Sequence, residues 1–336
     1  MEKHNIISKI KKDTIDVIIF TYKRAILLDS CIKSIIKYSS NINYPINIIY
    51  NHDKDHHKSY LKLKKIFGNK IKFHTRNKKN IFNDIRLLFR PLNIIWIYKW
   101  KRILSNYSNF KDLLENILRD SKSELTMLCT DDTFFYKKNH INRKICQEII
   151  KDGKNKWFRP NYGSELEKSN FTKKIILNKK KYLSWNADNK NITYFMMYNF
   201  QVEGSIYNTN SLLSFLRPFI YYNPTTLEAI GYKEAKNRNF FNKTYSPFHR
   251  TVATYEVNSV QKDTKLRLID RPQVNPDHLM KLFLKNYKLI IKLNSKNLLK
   301  KKEFGNLRLI PKKIYLQLDS KIFDVKKLIS KFKYKK

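Results

Sequence analysis

Two rhythms of apolar residues alternate along the first third of the chain. Residues 16–20 (Asp16-Val17-Ile18-Ile19-Phe20) form a compact β-branched run of the kind that builds a buried strand. Over residues 25–38 the apolar positions Ile26, Leu27, Cys31, Ile32, Ile35 and Ile36 return at helical spacing. Residues 46–50 predict a second strand, 57–67 a helix and 71–73 a short third strand. A long helical stretch follows, then an amphipathic helix over 110–120 and a buried strand over 125–129. Strand and helix in this alternation predict a parallel sheet covered on both faces. Beyond Tyr136 the pattern loosens. It predicts a helix over 141–151, an irregular aromatic stretch over 157–185, a strand-like run over 191–200 and a short helix over 211–216. A further helix opens at Asn223-Pro224, where proline suits the first turn, and a late strand over 252–257 precedes a helix after Asn275-Pro276. From about Leu293 onward lysines dominate, and the segment reads as a basic appendage.

Composition narrows the class. With 336 residues, 42% hydrophobic and 14% aromatic, the chain has apolar material for one large core or two small ones and is not a disordered polymer. Cys31, Cys129 and Cys146 are odd in number and lack CxxC spacing, so neither a disulfide framework nor a structural zinc site is expected. The start is polar and lysine-rich rather than leader-like, and no run reaches the ~18 apolar residues of a membrane span. A cytoplasmic location is expected, or a peripheral one on the inner face of the membrane.

Charge changes the picture less than its size suggests. Lys+Arg number 69 against 28 Asp+Glu, a net +41, which draws phosphate-bearing partners: nucleic acid, anionic lipid or nucleotide donors. Yet lysine far outnumbers arginine, and Lys, Asn and Ile are used everywhere, as an AT-rich genome dictates. Base and phosphate recognition favours arginine's fork, and no zinc finger, RRM signature or basic-helix pattern occurs. A basic nucleic-acid-binding protein without catalysis is therefore the alternative reading, and no specific nucleic acid is expected as partner. Residues 87–104 mix Trp96, Tyr98 and Trp100 with Arg90, Lys99 and Arg102; this suits a core helix with a solvated edge, or contact with an anionic membrane surface.

In open α/β sheets ligands bind beyond the carboxyl ends of the strands. Those ends here read Thr21-Tyr22-Lys23-Arg24, Asn51-His52-Asp53-Lys54-Asp55 and Thr130-Asp131-Asp132-Thr133. All three carry polar or charged groups. Adjacent carboxylates after a buried strand can offer part of the oxygen shell that Mg²⁺ or Mn²⁺ requires. Aspartate is also common where a turn simply begins. No glycine-rich phosphate loop follows the first strand, which counts against a nucleotidyltransferase.

The run Val17-Ile18-Ile19-Phe20-Thr21-Tyr22-Lys23-Arg24, taken with Thr130-Asp131-Asp132, resembles the GT-A glycosyltransferases, closest to their family-two-like group. The likeness covers roughly residues 13–284, with its specific motifs in the first half. It implies an α/β GT-A fold: a Rossmann-like, mostly parallel sheet flanked by helices, with an irregular acceptor-binding second half. The chain would divide into a nucleotide-sugar-binding half over 1–136, an acceptor-binding half of the same domain over 137–290 and the Lys-rich appendage over 291–336. The implied activity is metal-dependent transfer of a sugar from a nucleotide-sugar donor to a glycan or lipid-linked acceptor, with inversion, as in polysaccharide biosynthesis. Thr21, Tyr22 and Arg24 would cradle the nucleotide, and Asp53 or Asp55 would bond the base. Asp132 would hold Mn²⁺ or Mg²⁺, and Asp131 the ribose or a bridging metal contact. The third carboxylate of the family's motif is absent here, which leaves open which aspartate takes the metal. The same likeness makes Val202-Glu203-Gly204-Ser205-Ile206-Tyr207 an acceptor loop and places the general base at Glu228, on the helix after Asn223-Pro224, with Glu203 as second choice. His249, beside Arg250, is a further candidate metal or phosphate ligand.

Overall fold

In a computed structural model the first apolar run lies at the centre of a sheet as β1 (Lys11–Tyr22). The structure describes residues 11–78, 108–139, 141–163, 171–189, 196–254 and 275–292, with the strand backbones 313–318 and 321–324. Alternation along β1 sends Val17 and Ile19 to one face and Ile18 and Phe20 to the other, and all four are buried. A strand covered on both sides needs apolar residues at every position, which explains the unbroken run. Each such side chain contributes roughly 1.5–3 kcal/mol by leaving water.

The elements that cover it follow in order. α1 (Ala25–Tyr38) packs Cys31, Ile32 and Ile35 against the Val17 face. Next come β2 (Ile46–Asn51), α2 (Lys54–Phe67) and β3 (Ile71–Thr75). Helix α3 (Phe110–Arg119) places Phe110 and Leu114 on the opposite, Ile18 face, and β4 (Ser123–Thr130) follows. A short β5 (Thr133–Phe135) leads to α4 (Arg143–Lys151), then β6 (Lys156–Phe158), β7 (Lys173–Leu177) and β8 (Lys180–Asn186). β9 (Ser205–Asn208), α5 (Thr209–Leu216), α6 (Pro224–Asn237), β10 (Lys243–Pro247), β11 (Val252–Thr254), α7 (Pro276–Leu284) and β12 (Lys288–Lys292) complete this part.

The sheet has nine strands in the order β3-β2-β1-β4-β9-β6-β10-β8-β7. β3, β2, β1 and β4 are parallel neighbours, and β6 is parallel to β10. β9 runs antiparallel to both β4 and β6, and β8 to both β10 and β7. Seven of the nine strands therefore point one way, with β9 and β8 reversed. This is the mixed α/β, mostly parallel architecture that the resemblance implied. A small sheet of β5 and β11 lies against α1, where the Phe135 amide donates to Ser34 Oγ.

The second half departs from its predicted irregularity. Residues 157–185 contribute β6, β7 and β8 to the main sheet. Residues 196–200 of the expected strand form a turn and irregular backbone, and the rest of that run, like residues 87–104, lies outside the described residues. The basic appendage supplies β13 (Lys313–Leu318) and β14 (Lys321–Asp324), which extend β12 into a three-stranded antiparallel sheet. Among the described residues no helix is long and apolar enough to cross a membrane.

Candidate functional site

The carboxyl ends of β1, β2, β3, β4, β6 and β10 share one rim of the sheet. Because β9 is reversed, its beginning lies on that rim too, beside the end of β4. There the Gly204 amide donates to the Leu128 carbonyl at 2.8 Å. Gly204 has φ +78, and a Cβ on it would stand 3.3 Å from Phe135 and 3.4 Å from Pro160. A glycine is needed both for the backbone and for the close approach.

At the centre of the rim is an ion cluster. β1 ends in a tight turn in which Lys23 takes φ 56, a left-handed conformation costly for a residue with a Cβ. The turn is pinned by the buried Tyr60 hydroxyl, which meets Thr21 Oγ1 and the Arg24 amide, both at 3.3 Å. Arg24 occupies the N-cap position of α1 without capping it through its side chain. Its guanidinium turns instead to the end of β4. Nε donates to Asp131 Oδ2 at 3.1 Å, Nη2 lies 2.5 Å from Asp131 Oδ1, and Nη1 donates to Asp132 Oδ2 at 3.3 Å. Thr21 Oγ1 also donates to Asp131 Oδ2, at 2.6 Å. The Asp131 amide closes the seam by donating to the Phe20 carbonyl at 3.1 Å. Burial pushes the Asp131 carboxyl above its ordinary pKa, with Asp132 adding to that push and Arg24 opposing it. Burial works against the Arg24 charge as well, but the two carboxylates outweigh it and the guanidinium's pKa is raised.

Asp131, expected at the ribose or at a bridging metal contact, has a side chain that is 0% exposed, with both oxygens in contact with Arg24. Asp132 is different. It is 6% exposed; its Oδ1, like that of Asp131, is buried with no hydrogen-bond partner, but Arg24 comes no nearer to Asp132 than 3.3 Å, against 2.5 Å to Asp131 Oδ1. An orphaned carboxylate oxygen in a buried site is costly unless a cation or donor meets it. A divalent ion that takes most of its ligands from phosphate and water needs only one or two carboxylates, so this donor set fits Mg²⁺ or Mn²⁺ through Asp132. His249 does not join it: the ring is exposed, and no group of three His, Cys, Asp or Glu side chains among the described residues could hold a metal.

The end of β2 also departs from expectation. Asp53 is the N-cap of α2, accepting the His56 amide at 3.1 Å and meeting His56 Nδ1 at 2.7 Å, and it is ion-paired with Lys23. Burial acts to raise its carboxyl, but the contacts with Lys23 and His56 outweigh it and hold the group well below the usual range. Asp53 thus braces the strained turn at Lys23. Asp55 is exposed in the first turn of α2. Tyr22 is half-buried with the Lys23 ammonium 5.4 Å from its ring centroid.

Three residues here escaped the sequence reading. Tyr60 has the spacing of a core residue, and nothing in that spacing reveals where its hydroxyl goes. Arg76 immediately follows β3; burial lowers its pKa, nearby Tyr22 raises it in part, and its Nε is buried with no hydrogen bond. Arg159 follows β6, a strand the aromatic stretch concealed. It is fully buried, donates to the Tyr198 carbonyl at 2.7 Å and lies 4.0 Å from the Tyr162 ring centroid.

The two candidate bases occupy different ground. Glu203 directly precedes Gly204 at the rim, half-buried, and accepts Asn161 Nδ2 at 3.0 Å. Asn161 reaches Gln201 Oε1 at 3.0 Å as well. Glu228 is half-buried in the first turns of α6, on the side of Tyr207, whose ring belongs to the aromatic core. The helix starts where expected: Asn223 and Thr226 form a reciprocal capping box on either side of Pro224.

No protein-family model matches the chain, and no curated protein does. Solved structures are similar to it at low identity. The 1–349 portion of S. aureus TarS is 12% identical, aligned over 71% of this chain and 59% of that one, with a TM-score of 0.38. A 4-diphosphocytidyl-2C-methyl-D-erythritol synthase from Anaerococcus prevotii is 13% identical over 69% of this chain and 86% of its own, with a TM-score of 0.34. The inositol-1-phosphate CTP transferase from T. maritima is 10% identical over 70% and 89%, with a TM-score of 0.32. The chain thus spans less than two thirds of the TarS portion.

Proposed function

We propose that the protein transfers a sugar from a nucleotide-sugar donor to a glycan or lipid-linked acceptor, using Arg24 and Asp132 at the donor and Glu203 as general base. The observation that carries this reading is the meeting of a buried arginine, an orphaned carboxylate oxygen and a second, hydrogen-bonded carboxylate on one strand-end rim. Arg24 supplies fixed positive charge for phosphate, and its fork geometry suits two oxygens at once. Arg76 and Tyr22 flank the same side of the rim and suit the rest of a nucleotide. A divalent ion at Asp132, when bound, would neutralise charge growing on the departing diphosphate.

The order of the two glutamates is reversed from the sequence reading. Glu203 stands on the rim, where Asn161 Nδ2 donates to its carboxylate, and as base it would accept the acceptor's hydroxyl proton as the sugar's bond to phosphate breaks. A single base of this kind serves an inverting transfer. Glu203→Gln should lower kcat by roughly 10²–10⁴-fold while donor binding persists, whereas Glu228→Gln should retain most activity. Equal loss in the two variants would remove Glu203 from this role.

Thermal-shift measurements with UDP, GDP, CMP and dTDP sugars, with and without Mn²⁺, identify the donor, because a bound ligand raises the melting point by mass action. No shift with any of them would end the reading. The charge of +41 supports docking to an anionic membrane surface that carries a lipid-linked acceptor. Failure to co-sediment with anionic liposomes at low salt would exclude that docking.

A further inference from the structure

The cluster at the end of β4 is closed around its own cation. Arg24 contacts both oxygens of Asp131 and one oxygen of Asp132, and Thr21 holds Asp131 from the other side. Asp131 Oδ1 and Asp132 Oδ1 are both buried without a hydrogen bond, but Arg24 Nη2 lies 2.5 Å from Asp131 Oδ1, whereas the guanidinium comes no nearer to Asp132 than 3.3 Å. The contacts are unequal. Asp131 is engaged at 2.5, 2.6 and 3.1 Å, but Asp132 only at 3.3 Å. Arg24 is also the least covered of the three, at 11% side-chain exposure against 0% and 9%. Its side chain makes no cap contact to α1, so it can leave Asp132 without unravelling the helix.

Charge then decides what can enter. Two carboxylates and one guanidinium leave a single negative charge in a buried space. A divalent ion added with Arg24 in place would face a like charge a few ångströms away, in surroundings that screen poorly. A pyrophosphate arriving with the ion reverses this, because it brings negative charge and offers the guanidinium a second bidentate partner.

We propose that Arg24 is a resident counterion that excludes a divalent cation from Asp132 until a diphosphate draws it away. The cation alone is then held weakly, and cation and diphosphate bind with strong mutual reinforcement. This rests on the donor-site reading above and adds an order of binding to it.

The test measures Mn²⁺ affinity of the full chain by electron paramagnetic resonance, first without nucleotide and then with UDP or GDP. Arg24→Met combined with Asp131→Asn keeps the cluster's net charge unchanged, because it removes the guanidinium together with the carboxylate that balances it. That variant should bind Mn²⁺ alone at least about tenfold tighter than the wild type, about 1.4 kcal/mol, and gain less from the diphosphate. Arg24→Lys, the gentler change to the fold, should lie between the two. Adding Asp132→Asn to the double variant should abolish the gained affinity. If the charge-matched variant binds Mn²⁺ no tighter than the wild type, or if Asp132→Asn leaves the gain intact, the inference is wrong. If neither UDP nor GDP binds the wild type, the donor-site reading suffers instead, and the Mn²⁺ comparison between variants still decides the role of Arg24.

Discussion

Each half of the sheet buries an arginine at its strand ends, and the two are kept there by different chemistry. In the parallel half, Arg24 faces two carboxylates, which more than offset its burial and raise its pKa. In the mixed half, Arg159 is set among the rings of Tyr162, Trp157 and Trp185, at 4.0, 5.1 and 6.0 Å, and burial lowers its pKa. Each core cluster covers one face of the sheet and reaches into both halves, but its apolar residues change along the sheet. Val17, Ile19, Ile32, Ile48 and Met127 surround the first arginine's strands, whereas Trp157, Phe200, Tyr207, Phe215 and Phe241 form the centre of the second half. The contrast teaches that the parallel half sets its arginine against two buried carboxylates, while the mixed half sets its arginine among aromatic rings with a bond to the Tyr198 carbonyl. The first arrangement suits a site that must take up a charged ligand. The second suits a rigid wall.

The sharpest way to break this contrast is to remove each arginine in turn. Arg24→Met leaves two buried carboxylates uncompensated and should cost about 3–5 kcal/mol in urea unfolding. Adding Asp131→Asn should restore a large part of that loss. Arg159→Met leaves the Tyr198 carbonyl without its donor but keeps apolar volume among the rings, and should cost a smaller ~1–3 kcal/mol. Equal losses for the two single variants would erase the distinction between ionic and packed burial.

A third change probes the seam between the halves. Gly204→Ala forces a Cβ onto a left-handed backbone beside Phe135 and Pro160, and should cost roughly 1–2 kcal/mol. Because Glu203 adjoins it, kcat should fall with the melting point, while donor affinity should hold.

The smallest expected effect concerns pH. Asp53's carboxyl has a depressed pKa in the folded protein, so its contribution to stability is present above its ordinary value of 3.8 and is lost as pH falls below it. Asp53→Asn keeps a capable N-cap and removes the charge opposite Lys23 and His56. Its melting point should lie a little below the wild type's at pH 7, and the two should converge as the pH is lowered below about 3.8. A constant gap across that range would mean the ion pair with Lys23 contributes nothing.

The parallel half was legible in the sequence because its strands are buried on both faces and so read as unbroken β-branched runs, and because α1 repeats its apolar residues at helical spacing. The predicted helix over 25–38 matches α1 residue for residue. The mixed half was not. β6 is three residues long, and β7 and β8 each open with two adjacent lysines. Such strands make sense only beside partners distant in sequence, such as Lys156 with Lys243. The site divides the same way. The sequence brings Thr21, Arg24, Asp131 and Asp132 to strand ends that the sheet then joins. It does not reveal that Asp131 is consumed by Arg24, that Asp53 braces a helix, or that Tyr60 pins the turn, since each depends on side-chain direction across elements.

The account stands or falls on Asp132 as the acidic contact of a diphosphate site, and calorimetric titration of UDP and GDP with Mn²⁺ into wild type and Asp132→Asn tests this most directly. The account predicts that a nucleoside diphosphate binds the wild type with Mn²⁺ and loses at least about tenfold in affinity in the variant, some 1.4 kcal/mol. Binding of equal strength to both proteins, or to neither, would contradict it.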